Sequence, residues 1–227
     1  MSMKHFAFCF CLVIFFVRVG KCQELLPRMD ANNKKYGFVD ENGKWAIKAE
    51  YDYAKRFVGE YAVVALDKDG ENGKERMFGF VDRKGNRIIC PKFYKVGGYS
   101  EGCFRVQQDK GGNWSFLNKK GRKAFNGSFY YAGSFNDGVA VVAVKDKQQN
   151  CKFGYINKKG EMIVKPLFDY VYDFKDGYGK VVFGKDLDTA KFGYVDRKGK
   201  TIVECKFDDE GASYELEKVL SSYQNTK

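Results

Sequence analysis

A segment of 14 residues at positions 153–166, FGYINKKGEMIVKP, recurs along the chain. It returns as YGFVDENGKWAIKA at 36–49, FGFVDRKGNRIICP at 78–91 and FGYVDRKGKTIVEC at 192–205, and in drifted form as WSFLNKKGRKAFNG at 114–127. Each copy places two short runs of aromatic and aliphatic residues on either side of a polar turn that ends in glycine, the pattern of a β-hairpin. The turn opens with Asp40, Asp82, Asn118, Asn157 or Asp196. A side chain of this type accepts a hydrogen bond from the backbone two residues on. It closes with Gly43, Gly85, Gly121, Gly160 or Gly199, which can take the positive φ that such a loop requires. The exchange of Asp for Asn favours a turn role, because a metal ligand or catalytic acid is poorly replaced by an amide.

An aromatic connector and a third apolar run follow the hairpins. Phe168, Tyr170, Phe174, Asp176 and Gly177 precede Val181 to Phe183, and Phe129, Tyr131, Phe135, Asp137 and Gly138 precede the run at 139–144. The turn glycines are spaced 42, 36, 39 and 39 residues apart. A period near 40 with about three strands per copy cannot bury a core alone, so neighbouring copies must share one. The fold class is therefore all-β: tandem repeats of about three antiparallel strands in an open twisted array, with the aromatic connector across an edge of the sheet. A five-bladed β-propeller-like ring is the alternative, and would need a fourth short strand in the connector.

The repeats occupy 34–210, the last incomplete because no third apolar run follows Phe207. Residues 211–227 read as a C-terminal cap and tail, with a short helix or irregular strand at 214–220. The third copy has Ser115 where the others have glycine, and Asn126 and Gly127 near the proline position. It is expected to keep its strands with altered packing. Residues 1–22 read as a signal peptide: Lys4 and His5 precede an apolar run at 6–17, too short for a comfortable membrane span. An uncleaved N-terminal anchor is the alternative. Residues 23–33 read as a linker without a β run.

The repeated unit resembles the WG repeat, a β-rich repeat whose pattern is Trp-Gly-aromatic-Ile-Asp, two variable residues, Gly, an aliphatic pair and often Pro. Gly37, Gly79, Gly154 and Gly193 fit it, as do Asp40, Asp82, Asp196, Pro91 and Pro166. The signature tryptophan is Tyr36, Phe78, Phe153 and Phe192 here, and survives only as Trp114. The resemblance implies a repeat scaffold, often exported or joined to other domains. It carries over no catalytic residues.

The chemistry open to such a chain is narrow. Its single histidine, His5, lies in the signal-like segment, so the mature chain would have no Ser-His-Asp or Cys-His system and no histidine ligand. Asp, Glu and Lys remain as acids and bases, but no pair stands out for glycoside cleavage. The chain is expected to be no enzyme and to need no metal or cofactor. Cys90, Cys103, Cys151 and Cys205 remain after cleavage; export would permit disulfides, with Cys90 and Cys103 the pair most able to meet, or the thiols stay free and buried. The acidic stretch at 67–73 lacks the ligand spacing of an EF-hand and reads as a solvated insertion.

Charge is the better guide to a partner. The formal net charge is +11, and +8 without residues 1–22. Four turns carry a basic pair: Arg83 and Lys84, Lys119 and Lys120, Lys158 and Lys159, Arg197 and Lys198. Equivalent turns of a repeat array line up along one edge. They would form a basic ridge able to attract a protein or an anionic polysaccharide or envelope surface, or simply a solvated edge that discourages strand pairing with other chains. The expectation is an exported scaffold, secreted or in the periplasm or cell envelope, that binds such a partner; nucleic acid is disfavoured by export. A structural or inhibitory interaction module without a polymer ligand and a carboxylate-dependent enzyme are the alternatives. Tyr51, Tyr131 and Tyr170 could flank the ridge, although repeated aromatics usually belong to a core.

Overall fold

The computed structural model describes residues 24–70, 73–186 and 188–224. The signal-peptide expectation for 1–22 lies outside them. Eighteen strands among the described residues form five separate antiparallel sheets. The first holds β1 (Leu26–Met29), β2 (Tyr36–Val39) and β3 (Trp45–Tyr51). The second holds β4 (Tyr53–Ala54), β5 (Tyr61–Gly70), β6 (Gly73–Asp82) and β7 (Arg87–Phe93). The third holds β8 (Lys95–Ser100), β9 (Cys103–Gln107) and β10 (Trp114–Asn118). The fourth holds β11 (Tyr131–Asn136), β12 (Val139–Lys145), β13 (Cys151–Asn157) and β14 (Met162–Phe168). The fifth holds β15 (Tyr170–Val171), β16 (Tyr178–Phe183), β17 (Lys191–Asp196) and β18 (Thr201–Phe207), and α1 (Asp209–Gln224) ends the described chain.

Each complete sheet is a four-stranded meander, and it is out of phase with the sequence repeat. The copy that begins at Phe78 gives its hairpin, β6 and β7, to the second sheet, and its connector and third run, β8 and β9, to the third. The connector supplies a short edge strand, the fourth strand that the sequence left open. The same phase explains both ends. The first hairpin needs a partner from before the repeats, and β1 provides it, pairing Leu26 with Val39 and Met29 with Tyr36. This corrects the expectation that 23–33 is a linker without a β run. The last hairpin has no following sheet to feed, so its chain turns instead into α1.

A separate apolar cluster fills each junction. Phe38, Ile47 and Tyr51 of the first sheet meet Ala62, Val64 and Val81 of the second. Phe80, Ile89 and Phe93 on the opposite face of the second meet Phe104, Val106 and Leu117 of the third. Strand β12 shows the cause in one run: Ala140 and Val142 face the third sheet, Val139 and Val141 the fifth. Successive strand residues point to opposite faces, so a sheet buried on both sides needs a continuous apolar run rather than an alternating one. A connector aromatic enters each space: Phe57 meets Phe38 at 4.8 Å, Tyr99 meets Phe104 at 4.7 Å, Phe135 meets Phe116 at 5.0 Å and Phe174 meets Tyr155 at 4.8 Å between centroids. No strand pairing or shared apolar cluster joins the first described sheet to the fifth, so the array is open rather than a closed ring.

Helix α1 covers the outer face of the fifth sheet, where Val182, Ala190 and Phe192 pack with Ala212. The helix begins at Asp209, earlier than the 214–220 segment expected. Asp208 starts it: its Oδ1 accepts from Gly211 N at 2.7 Å, an N-cap, and Asp209 and Glu210 put negative charge on the first turn.

The third sheet departs most from the pattern. The second hairpin strand expected there is absent; the backbone of residues 119–130 pairs with β10 only through isolated bridges at Leu117–Lys123 and Trp114–Phe129. The physical reason lies at Ser115. In the four regular hairpins the second strand bulges over the glycine after the first aromatic; beside Gly193 the register passes from Phe192↔Phe207 to Tyr194↔Val203. A Cβ at Gly193 would lie 2.6 Å from Val203 O and 2.7 Å from Cys205 N. Serine carries that Cβ, so the bulged strand cannot lie over position 115.

Candidate functional site

All five Asx turns form as their sequences require. The Oδ1 of Asp82 accepts from Lys84 N at 2.9 Å and from Asn86 N at 2.8 Å, and Asp196 accepts from Lys198 N at 2.8 Å and Lys200 N at 2.9 Å. Asp40, Asn118 and Asn157 do the same. The closing glycines have φ between 73° and 84°. Each later turn also leans on the unit before it: Gly85 faces Ile47, Gly121 the Ile88 carbonyl, Gly160 the Phe125 ring and Gly199 the Ile163 carbonyl. The turns therefore follow one another along one edge of the array.

The eight basic residues on this edge divide into two sets. Lys158 Nζ lies 3.4 Å from Glu101 Oε2, and Arg197 lies 3.2 Å from Asp137 Oδ1. Glu101 and Asp137 occupy equivalent turns between an edge strand and its neighbour, in the sheet before. Each also accepts a backbone N–H from the matching turn of the following sheet, Gly138 N at 3.0 Å and Gly177 N at 2.9 Å. The preceding residue adds a second clasp: Ser100 Oγ donates to Phe135 O, and Asn136 Nδ2 donates to Phe174 O at 2.8 Å. Lys158 and Arg197 thus belong to staples between sheets. The Gly177 N–H and the Arg197 guanidinium hold the Asp137 carboxyl below the usual carboxylate range.

Arg83 reaches its own sheet's connector turn. Its Nε donates to Gly59 O at 3.0 Å, and its guanidinium lies 4.9 Å from the centre of the Phe57 ring. Lys119 would meet an acid at position 59, but glycine stands there. Lys84, Lys119, Lys120, Lys159 and Lys198 are exposed and have no ion pair among the described residues. The array thus brings the eight predicted residues to one edge and leaves five of them as unpaired cations.

A second acid–base motif locks the corners. Asp52 accepts from Lys35 Nζ at 2.6 Å and Asp67 N at 3.1 Å; Asp169 accepts from Lys152 Nζ at 2.7 Å and Gly184 N at 3.0 Å. The Lys152 ammonium and the Gly184 N–H hold the Asp169 carboxyl below its usual range. These aspartates, each between two aromatics, are structural. In the 67–73 stretch, Asp67 receives Arg76 through two hydrogen bonds, at 2.7 and 3.0 Å, across the extended β5–β6 ladder. Cys90, Cys103, Cys151 and Cys205 are all free thiols, so the pairing of Cys90 with Cys103 is not formed. Among the described residues no group of three or more His, Cys, Asp or Glu side chains is placed to hold a metal ion.

The tyrosines occupy two positions of the repeat: Tyr51 stands where Phe129 and Phe168 do, and Tyr131 and Tyr170 stand two residues further on, where Tyr53 does. Tyr51 is fully buried, whereas Tyr131 and Tyr170 stand exposed on edge strands. They border a cavity of about 990 Å³ that the sequence did not suggest. Its only signal was the position of the connector tyrosines beside the aromatic–Asp–aromatic corner, which read equally well as core.

Stacked antiparallel sheets, each completed by the next sequence copy and edged by Asx turns, define a β-repeat scaffold. The family described as WG containing repeat matches residues 36–68, 78–111, 114–147, 153–185 and 192–212, and the chain belongs to it. Among curated proteins nothing matches the chain.

Proposed function

We propose that this β-repeat module is an exported, non-enzymatic scaffold that binds a protein or an anionic cell-surface polymer along its turn edge. The observation that carries this proposal is the repetition of Lys84, Lys120, Lys159 and Lys198 on successive turns, exposed and without ion pairs among the described residues. A row of like charges at regular intervals suits a polyanion or an acidic protein face, and attracts it at long range. Export rests on the apolar run at 6–17, which places the partner outside the cytoplasm, in the envelope or beyond. The reading of no catalytic duty rests on the loss of histidine after cleavage and on the structural employment of Asp52, Asp137 and Asp169.

The test spares the staples. The mature chain and a variant with Lys84, Lys120, Lys159 and Lys198 changed to Glu are compared in pull-downs from envelope and extracellular extract, and in titrations with polygalacturonate at low and high salt. Saturable binding that the variant loses, with an unchanged circular dichroism spectrum, supports the turn edge. A partner retained by both proteins would reduce the lysines to solubilising residues and favour an interaction module without a polymer ligand.

A further inference from the structure

The 990 Å³ cavity runs over the two-residue edge strand β15, between β11 of the fourth sheet and α1. Its volume is at the upper end of the roughly 300–1,000 Å³ range of small-ligand sites. Its lining is unusual for a surface. Tyr130 and Tyr131 are each 44% exposed, Tyr170 49% and Tyr172 41%. Three ring contacts make a continuous aromatic path from one sheet to the next: Tyr131 to Phe153 at 6.0 Å, Phe153 to Tyr170 at 5.6 Å and Tyr170 to Tyr172 at 5.1 Å. Such rings offer apolar faces and hydroxyl tips together, at a low entropic cost of ordering.

Two carboxylates complete the lining. Asp173 and Asp176 are exposed, and neither has a hydrogen bond or ion pair among the described residues. For Asp176 the repeat explains this. It occupies the same left-handed turn position as Glu101 and Asp137, with φ of 53° against 46° and 55°. Those two acids bind the following sheet, but after the fifth sheet comes α1, and Asp176 has no sheet to staple. Its oxygens remain as acceptors at the end of the aromatic path.

We infer that this groove binds a neutral oligosaccharide segment. Sugar rings present C–H faces that suit exposed tyrosine faces, and hydroxyl edges that can donate to unpaired carboxylates. A charged acceptor roughly doubles the strength of such a bond. The two carboxylates oppose an acidic glycan, and a proline-rich peptide, which has carbonyls and few donors, would leave them unanswered. Lys180 lies beside Tyr172 and Tyr194 but is held by Asp209. Lys175 lines the groove exposed and without an ion pair among the described residues, so the free charges of the lining are two carboxylates and one ammonium and their balance is negative. The groove is separate from the exposed turn lysines and stands whether or not they bind a partner.

Calorimetric titration of the mature protein with neutral hexasaccharides of β-1,4- and α-1,4-linked glucose, xylose and N-acetylglucosamine tests the assignment. An oligogalacturonate and a proline decapeptide serve as comparators. At least one neutral oligosaccharide is expected to bind with a Kd of about 1 mM or tighter. The Tyr170→Ala/Tyr172→Ala variant should lose about tenfold or more in affinity, a size set by the loss of two aromatic faces. Asp173→Asn/Asp176→Asn should lose about fivefold, with asparagine tolerating the left-handed turn. The four-lysine variant should bind as the parent does. No neutral binding at about 1 mM, binding that survives both groove variants, or tighter binding of the peptide or acidic comparator would overturn the inference.

Discussion

Gly193 packs against the Val203 carbonyl so closely that a Cβ on Gly193 would stand 2.6 Å from that oxygen. Gly193→Ala should therefore push the bulged β18 away, at a cost of about 1–3 kcal/mol, the usual range for overpacking. Urea denaturation measures it. Ser115→Ala, at the equivalent place in the third sheet where the bulged strand is missing, should stay within about 0.5 kcal/mol of the parent. Equal losses from both changes would mean that the glycine serves something other than close approach.

The corner aspartates make acid sensitivity specific. Asp169 is held below the ordinary carboxylate range by Lys152 and Gly184 N–H. A carboxyl depressed in the folded state contributes stability above its unfolded pKa, and that contribution fades as the pH falls through the folded value. Asp169→Asn should cost about 1–2 kcal/mol at neutral pH, in line with a charged hydrogen bond. It should also flatten the loss of stability below about pH 4. Thermal melting of parent and variant across pH 2–6 gives both slopes; parallel curves would remove the Lys152–Asp169 pair from the acid response.

Backbone exchange should expose the gap in the third sheet. Residues 119–130 have isolated bridges where the fourth sheet has β14 on β13. Amides at 119–130 are expected to exchange faster than those at 162–168, because local opening there breaks fewer ladder bonds. Mass-spectrometric hydrogen exchange resolves the two segments, and equal protection would show that the irregular stretch is held as firmly as a strand.

Removing α1 by truncation after Asp208 should uncover Val182, Ala190 and Phe192, now 1–4% exposed. The loss is expected to be about 3 kcal/mol, mostly from the valine and phenylalanine. Scanning calorimetry reads it, together with light scattering for self-association through the bared face. An unchanged melting temperature would show that the helix is not needed as a cap.

The legible parts of this fold were those set by neighbouring residues. Asn157 and Gly160 define their turn within four positions, so the hairpins and the order of the basic pairs could be read directly. The phase of the sheets could not. Tyr53 and Ala54 make a two-residue strand only because β5 lies beside them, and Leu26 to Met29 become a strand only because β2 lacks a partner. Neither carries the pattern on its own. The turn edge suffered a similar limit. Arg197 and Lys198 look alike in sequence, but Asp137, 60 residues before Arg197, ties one of them and leaves the other. The groove was hidden because both sides of the corner are aromatic: Tyr51, before Asp52, is fully buried, and Tyr170, after Asp169, stands exposed.

Because every sequence copy but the last spans two sheets, and each junction has its own apolar cluster, force applied at the two ends would meet a series of separate resistances. Pulled in this way, the protein should lengthen in steps, each releasing one sheet's worth of chain, and the weakest step should fall at the third sheet. Such a molecule yields under load by degrees and keeps part of its folded length while neighbouring sheets remain intact.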